Sequence, residues 1–186
     1  MLRNFPLRPL LNGERLQTLT QCTINNTVTP QALSDRCPCK TRPPILAVDD
    51  NIFNIVALQT VLEYDFNLQS EKALNGLEAL AKVQERAKDV AEYPCICGKE
   101  DPDSNFSVIF MDCNMPIMDG FMGTARIKEY LGDEKMKKMV IVALTAYTGE
   151  QFKEKCLMSG MNGYLTKPIS AGQLRAFLRE HTKHVQ

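Results

Sequence analysis

The run Ile45-Leu46-Ala47-Val48-Asp49-Asp50 decides the fold, because it places four apolar residues directly before two acids. A short apolar run that ends in polar residues is typical of a strand buried on both faces of a sheet. The segment that follows, from Asn51 to Glu63, repeats apolar side chains at the spacing of one helix face. A buried strand followed by an amphipathic helix predicts a parallel sheet that is covered by helices.

The same alternation of strand and helix continues toward the end of the chain. Further strands are predicted at Phe66–Ser70, Val108–Met111, Met139–Leu144 and Tyr164–Leu165. Further helices are predicted at Leu74–Lys88, Gly120–Leu131, Glu150–Ser159 and, after a Ser170 cap, Ala171–His181. Five strands joined by helices predict an α/β fold with a doubly wound, five-stranded parallel sheet.

The 186 residues are enough for one folded domain with segments outside it. Residues 1–42 contain four prolines and no sustained periodicity, so they are predicted to be a linker or a flexible N-terminal tail. Residues 43–186 are predicted to be the folded domain. Within it, the polar stretch at about 90–105, which contains Pro94, Gly98 and Pro102, is predicted to be an inserted loop.

Composition excludes several functional classes. Lys and Arg together number 22, as do Asp and Glu, so the net charge is zero and the chain is not a strongly basic nucleic-acid binder. No apolar stretch approaches the ~20 residues of a membrane helix, so no membrane segment is predicted in this chain. Seven cysteines, an odd number, favour reduced thiols and a cytoplasmic location over a disulfide framework.

Chemically capable side chains follow four of the predicted strands. Asp49 and Asp50 follow the first strand, Asp112 follows the third, Thr145 the fourth and Lys167 the fifth. Ligands of open α/β sheets bind beyond the carboxyl ends of the strands. We therefore expect three carboxylates, one hydroxyl and one ammonium group to converge on one edge of the sheet.

Four motifs at these strand ends resemble the receiver domain of two-component response regulators. They occur in the family's order and are Val48-Asp49-Asp50-Asn51, Phe110-Met111-Asp112-Cys113-Asn114-Met115-Pro116-Ile117-Met118-Asp119-Gly120, Ala143-Leu144-Thr145-Ala146 and Leu165-Thr166-Lys167-Pro168. The resemblance covers roughly residues 44–182. The run from Asp49 to Val56 is most similar to receivers attached to hybrid sensor histidine kinases. The insert makes this domain larger than a typical receiver.

The resemblance implies a flavodoxin-like (βα)5 fold with strand order 2-1-3-4-5. It implies that Asp112 accepts a phosphoryl group from a phosphohistidine of a histidine kinase or a histidine phosphotransfer protein. Mg²⁺ would be held by Asp49, Asp50, Asp112 and the backbone carbonyl of Asn114, oxygen ligands that suit a hard cation. Lys167 would pair with the phosphoryl oxygens as a point charge.

The resemblance also implies a conformational response and a limited lifetime of the phosphoryl group. Thr145 would hydrogen-bond a phosphoryl oxygen, and the aromatic residue Tyr164 would then change rotamer. The residues two positions after Asp112 and Thr145, which are Asn114 and Tyr147, would tune self-dephosphorylation. Because Tyr147 is bulky enough to shield the acyl phosphate from water, we expect slow loss. Such a domain is a signalling module with self-phosphorylation chemistry and not an enzyme in its own right.

Two other functions are compatible with the fold. A degenerate receiver would act only as a docking module, but the acidic, hydroxyl and lysine positions are all intact. A hydrolase with an aspartate nucleophile would need a cap domain, and the sequence supplies none. The chain is either a stand-alone receiver or the C-terminal part of a hybrid kinase, and its linker-like start favours the second.

Two Cys-x-Cys pairs, Cys37/Cys39 and Cys95/Cys97, raise the question of a four-cysteine zinc site. This spacing is a weaker zinc signal than Cys-x-x-Cys, and no histidine accompanies it. Free thiols are therefore favoured over a zinc site.

Overall fold

The computed structural model describes residues 42–93, 105–147 and 149–181. The strands are β1 (Ile45–Val48), β2 (Ser70–Ala73), β3 (Val108–Asp112), β4 (Val140–Thr145) and β5 (Gly163–Thr166). The helices are α1 (Ile52–Phe66), α2 (Gly76–Glu92), α3 (Gly120–Met136), α4 (Glu150–Met158) and α5 (Ala171–His181). In this part of the chain no helix is both long and apolar enough to cross a membrane. The predicted tail, apart from Arg42, lies outside the described residues.

All five strands are parallel and form one sheet in the order β2-β1-β3-β4-β5. This order confirms the predicted doubly wound, flavodoxin-like architecture. The pairing register places Val48 beside Met111, Asp112 beside Leu144, and Thr145 beside Thr166. The carboxyl ends of β1, β3, β4 and β5 therefore meet at one edge of the sheet.

The core has two layers, one on each face of the sheet, because successive strand residues point to opposite sides. On β3, Val108 and Phe110 face α1 and α5, whereas Ile109 and Met111 face α2, α3 and α4. The first layer is completed by helix residues Ile55, Leu58, Leu62, Leu174, Phe177 and Leu178. The second is completed by Ala79, Val83, Phe121, Ile127 and Cys156. Burial on both faces explains why β1 and β3 are continuous apolar runs.

The prediction for the second strand was wrong, since β2 begins at Ser70 and not at Phe66. Phe66 is the last residue of α1, and Asn67 ends this helix with a left-handed φ of 53° while its N–H donates to the Glu63 carbonyl. The apolar Phe66 and Leu68 thus belong to the end of the helix and its cap. β2 is an edge strand of polar composition, so apolar patterning did not reveal it.

The second helix runs past its predicted end at Lys88 and ends at Glu92, so the start of the predicted insert at residues 90–92 is helical. Val90 is buried, and the carboxylate of Asp89 accepts from Arg42 Nε at 2.7 Å. Arg42 also donates to the Tyr93 carbonyl at 2.5 Å. These contacts extend the helix and fix the start of the domain against it. Residues 94–104 of the insert lie outside the described residues.

The third helix is interrupted where the sequence predicted its end. Gly132, directly after Leu131, has φ 72° and ψ 167°, and a short helical segment then continues to Met136. Glycine adopts this backbone conformation without the steric penalty of a side chain.

Candidate functional site

The polar edge of the sheet is built by the ends of β1, β3, β4 and β5. Asp49 follows β1 directly, Asp112 is the last residue of β3, Thr145 is the last of β4, and Lys167 follows β5. The Lys167 N–H donates to the Thr145 carbonyl at 2.8 Å, which extends the pairing of β4 and β5 by one residue. The structure therefore brings the Asp49, Asp112 and Lys167 side chains into contact, with Thr145 at the neighbouring end of β4.

Asp49 is almost fully buried and is held by the start of α1. Its Oδ1 accepts from the Asn51 N–H at 2.9 Å and from Asn54 Nδ2 at 3.0 Å. Asn51 is also the N-cap of α1, because its side chain accepts from the Phe53 N–H. Asn54 was not among the predicted site residues. Its position in the first helical turn after the acids is the sequence signal that could have identified it.

Lys167 links two of the three acids. Its Nζ lies 2.5 Å from Asp49 Oδ2 and 2.9 Å from Asp112 Oδ1. Burial lowers the pKa of Lys167, but the hydrogen bonds and charges of Asp49 and Asp112 outweigh burial, so its pKa lies above the ordinary value. Lys167 is therefore a fixed positive charge at neutral pH.

Asp112 is buried, and its contacts favour one oxygen. Oδ1 accepts from the Cys113 N–H at 2.9 Å and from Lys167. Burial raises the pKa of Asp112, Lys167 lowers it, and the charge of Asp49 raises it further, so that the pKa lies above the ordinary carboxyl value. The buried site holds this negative charge at a free-energy cost in the absence of a further cation.

The three acids form a cluster of a size that suits a metal ion. One carboxylate oxygen from each of Asp49, Asp50 and Asp112 lies within 4.8 Å of the other two. Asp50 is exposed at the mouth, whereas the other two are buried. Three carboxylates and Lys167 give a net charge of −2, which a divalent cation with a preference for oxygen ligands would neutralise. Asn114, the predicted carbonyl ligand, lies exposed two residues beyond Asp112.

Close backbone packing fixes the loop between β3 and α3. A Cβ on Gly120 would stand 2.1 Å from the Asp112 carbonyl oxygen, so only glycine fits there. The Gly120 N–H donates to the Cys113 carbonyl at 3.2 Å, and the Asp119 side chain caps α3 by accepting from the Met122 N–H at 2.7 Å. The backbone of Asp112 thus packs directly against the first turn of α3.

Ile117 in the same loop has an unusual backbone. Its φ is 70°, and the Met118 N–H donates to the Pro116 carbonyl at 2.8 Å, which defines a γ-turn centred on Ile117. A β-branched residue at positive φ is strained. Its side chain is 80% exposed, so burial does not compensate for the strain.

The two residues predicted to carry the conformational response, Thr145 and Tyr164, lie on the strands that precede and follow α4 in the sequence. Thr145 is buried, and its Oγ1 accepts from the Tyr147 N–H at 2.9 Å. Tyr164 lies on β5 in register with Ala143, and its ring faces Lys153 Nζ at 5.3 Å. Tyr147 is exposed, with its ring 5.6 Å from that of Phe152.

Comparisons with known proteins agree with this geometry. A family model described as the response regulator receiver domain matches residues 98–179. Over 141 residues, 76% of this chain, the sequence is 35% identical to the osmosensing histidine protein kinase SLN1 of Saccharomyces cerevisiae. The aligned part covers only 10% of SLN1, so the chain spans a small fraction of this relative.

Two solved structures share the fold over most of their length. One is the receiver domain of the sensor histidine kinase PA1611 of Pseudomonas aeruginosa, with a magnesium ion coordinated in its active-site cleft. Its sequence is 26% identical to this chain and the TM-score is 0.56, over 74% of this chain and 94% of that one. The other is the Saccharomyces cerevisiae co-crystal structure of the histidine phosphotransfer protein Ypd1 with the receiver domain of Ssk1. Its matched chain is 28% identical to this one with a TM-score of 0.55, over 76% of this chain and 87% of that one.

Proposed function

The chain belongs to the response regulator receiver family, and we propose from this that Asp112 is the phosphoacceptor of a His-to-Asp phosphorelay. The observation that carries the proposal is that Asp112 lies 2.9 Å from Lys167 Nζ and clusters with the acidic pair Asp49 and Asp50. One nucleophilic carboxylate next to a fixed cation and a cation-binding pair suits phosphoryl transfer, which depends mainly on positioning and charge neutralisation.

In this proposal Asp112 Oδ2 attacks the phosphorus of a phosphohistidine. In the described part of the chain the hydrogen bonds and ion pairs of Asp112 all reach Oδ1, which leaves Oδ2 available. A phosphorus–oxygen bond to Asp112 forms while the phosphorus–nitrogen bond breaks, and the imidazole leaves as the neutral base after it takes up a proton. Lys167 Nζ would contact the transferred phosphoryl oxygens.

The residues present fit a magnesium ion. Asp49, Asp50, Asp112 and the carbonyl of Asn114 would hold it, since all offer oxygen ligands and the acids already cluster within 4.8 Å. When bound, Mg²⁺ supplies positive charge to the phosphoryl oxygens. The magnesium in the PA1611 receiver supports this assignment.

The phosphodonor is proposed to be a histidine kinase or a histidine phosphotransfer protein, which the Ypd1–Ssk1 co-crystal supports. The similarity to the hybrid signal transduction histidine kinases B and E of Dictyostelium discoideum, 36% and 35% identical, supports an origin in a hybrid histidine kinase, with this chain as its receiver. Residues 43–186 would form this receiver and residues 1–42 a linker. No binding of nucleic acid is proposed.

The response is proposed to begin at Thr145, whose hydroxyl would leave Tyr147 for a phosphoryl oxygen, and to reach Tyr164 on β5. Asn114 and Tyr147 are proposed to tune hydrolysis, with slow loss of the phosphoryl group. A cytosolic setting is proposed because the free thiols Cys113 and Cys156 are buried beside the site.

The test is to incubate the protein with Mg²⁺ and acetyl phosphate and to measure its intact mass. We expect a gain of about 80 Da, the mass of one phosphoryl group, in the wild type and none in Asp112→Asn. Asp133→Asn, which removes an exposed acid at the far end of α3, is the matched control and should gain the same mass as the wild type. An unmodified wild type would contradict the proposal and favour the docking-module alternative. An equal gain in Asp112→Asn would also contradict it, because the phosphoryl group would then be on another residue.

A further inference from the structure

Three aromatic rings connect the loop after β4 to helices α4 and α3. The ring centroids of Tyr147 and Phe152 are 5.6 Å apart at an interplanar angle of 35°. Those of Phe152 and Phe121 are also 5.6 Å apart, in an edge-to-face arrangement at 70°. Both distances lie in the range of favourable aromatic pairs. We call Tyr147, Phe152 and Phe121 the aromatic chain.

The aromatic chain begins at the residue that holds the Thr145 hydroxyl. The Tyr147 N–H donates to Thr145 Oγ1 at 2.9 Å, and the same hydroxyl lies 3.5 Å from the Tyr147 carbonyl oxygen. Thr145 and Tyr147 are therefore one hydrogen-bonded unit. A displacement of Thr145 toward Asp112 would therefore shift the backbone of Tyr147, whose ring packs against Phe152.

The other end of the aromatic chain is fixed. Phe121 is buried in the first turn of α3, directly after the glycine that packs on the Asp112 carbonyl, and Lys155 Nζ lies 4.0 Å from its ring centroid. Phe152 is partly buried against the core and is anchored in the first turn of α4, where its N–H donates to the Gly149 carbonyl at 3.0 Å. Tyr147 is 59% exposed. Phe152 thus provides the fixed surface and Tyr147 the adjustable ring.

We propose that Phe152 is a positioning residue for the lifetime of the phosphoryl group on Asp112, acting through the ring of Tyr147. This inference rests on the proposed function. In the hydrolysis step a water molecule attacks the phosphorus, the bond between phosphorus and Asp112 breaks, and inorganic phosphate leaves while the carboxylate is regenerated. Phe152 keeps the Tyr147 ring in the position where it limits the approach of that water.

The size of the effect follows from the strength of an aromatic pair. A contribution of about 0.5–1.5 kcal/mol corresponds to a two- to tenfold change in an equilibrium. Without the Phe152 ring, Tyr147 leaves its shielding position in a correspondingly larger fraction of molecules. We therefore expect the half-life of the phosphorylated protein to shorten about two- to tenfold in Phe152→Ala.

The experiment loads the protein with acetyl phosphate and Mg²⁺, removes the donor by rapid desalting, and follows the decay of the phosphorylated species by intact mass. The variants are Phe152→Ala, Phe152→Leu, Tyr147→Ala and the double variant Phe152→Ala/Tyr147→Ala. Leu157→Ala, which truncates an exposed side chain of the same helix, is the matched control and should decay as the wild type does. If Phe152→Ala does not fold, the smaller truncation to leucine carries the test.

A positioning role predicts that Phe152→Ala shortens the half-life in the wild-type background and has no further effect in the Tyr147→Ala background. A merely structural role would shorten it equally in both backgrounds and would overturn the inference, as would an unchanged half-life in both Phe152 variants. If the wild type takes up no phosphoryl group, the proposed function fails and this inference fails with it. Normal loading with an unchanged half-life refutes only the role of Phe152.

Discussion

Lys167 forms an ion pair with Asp49 across 118 positions of sequence, with Nζ 2.5 Å from Oδ2. The same ammonium group also contacts Asp112, so one internal cation serves two buried acids. A divalent cation entering the site therefore meets acids whose charge is already partly neutralised. The positive charge of Lys167 is therefore expected to weaken the binding of Mg²⁺ to these acids.

Replacing Lys167 by methionine should strengthen the binding of Mg²⁺. The substitution keeps an unbranched side chain but removes a positive charge adjacent to the acids, and charge interactions over a few ångströms in a partly buried site reach several kcal/mol. We expect the dissociation constant for Mg²⁺, measured by isothermal titration calorimetry, to fall about tenfold or more. Lys153→Met removes a lysine that pairs with Glu150 instead, and should leave the affinity unchanged. Equal or weaker binding in Lys167→Met would show that Lys167 does not compete with the ion.

The stability of the metal-free protein should depend on pH through Asp112. Because burial raises its pKa, the folded state holds the Asp112 proton more tightly than the unfolded state does. The stability that comes from protonated Asp112 is fully present at pH values below 3.8, the ordinary pKa of the carboxyl group. It is lost as the pH rises through the higher pKa of Asp112 in the folded state. Asp112→Asn has no such proton, so it should gain stability relative to the wild type over this interval.

The measurement is the difference in free energy of unfolding by urea between Asp112→Asn and the wild type, in EDTA, from below pH 3.8 upward. Taking the difference removes the titration of the other carboxyl groups. Asp133→Asn, at an exposed position, is the control for the removal of one carboxyl group. A difference that stays constant or falls with rising pH would contradict the raised pKa.

The positions of the candidate residues in the fold could be predicted from the sequence because the sheet itself fixes them. Asp112, Thr145 and Lys167 stand at strand ends, and in a parallel sheet all such ends share one edge. The edge strand β2 was misplaced, since its polar residues lack the apolar pattern that marks a buried strand. The roles of Asn54 and Phe152 were not predicted, because they depend on contacts made only after folding. The same holds for the pairing of Arg42 with Asp89, which lie 47 positions apart.

Substitution of Gly120 by alanine should disrupt the support of Asp112. The new Cβ would stand 2.1 Å from the Asp112 carbonyl oxygen, so β3 and α3 must separate. We expect a loss of about 3 kcal/mol or more in the free energy of unfolding, the range of severe overpacking. Gly149→Ala introduces the same methyl group into open space at the N-cap of α4 and should cost much less. Equal losses in both variants would mean that the contact behind Asp112 is readily accommodated.

Ile117→Gly should stabilise the protein, although it removes an apolar side chain. The positive φ of 70° at a β-branched residue costs about 1–3 kcal/mol, whereas glycine adopts it freely and adds about 0.5–1 kcal/mol of unfolded-state entropy. Because the isoleucine is 80% exposed, little burial is lost, and we expect a net gain of about 1 kcal/mol in urea denaturation. Glu154→Gly, at an exposed position in the middle of α4, should instead lose about 1 kcal/mol. If both variants lose stability to the same extent, Ile117 is not strained, and the γ-turn before α3 is held at no conformational cost.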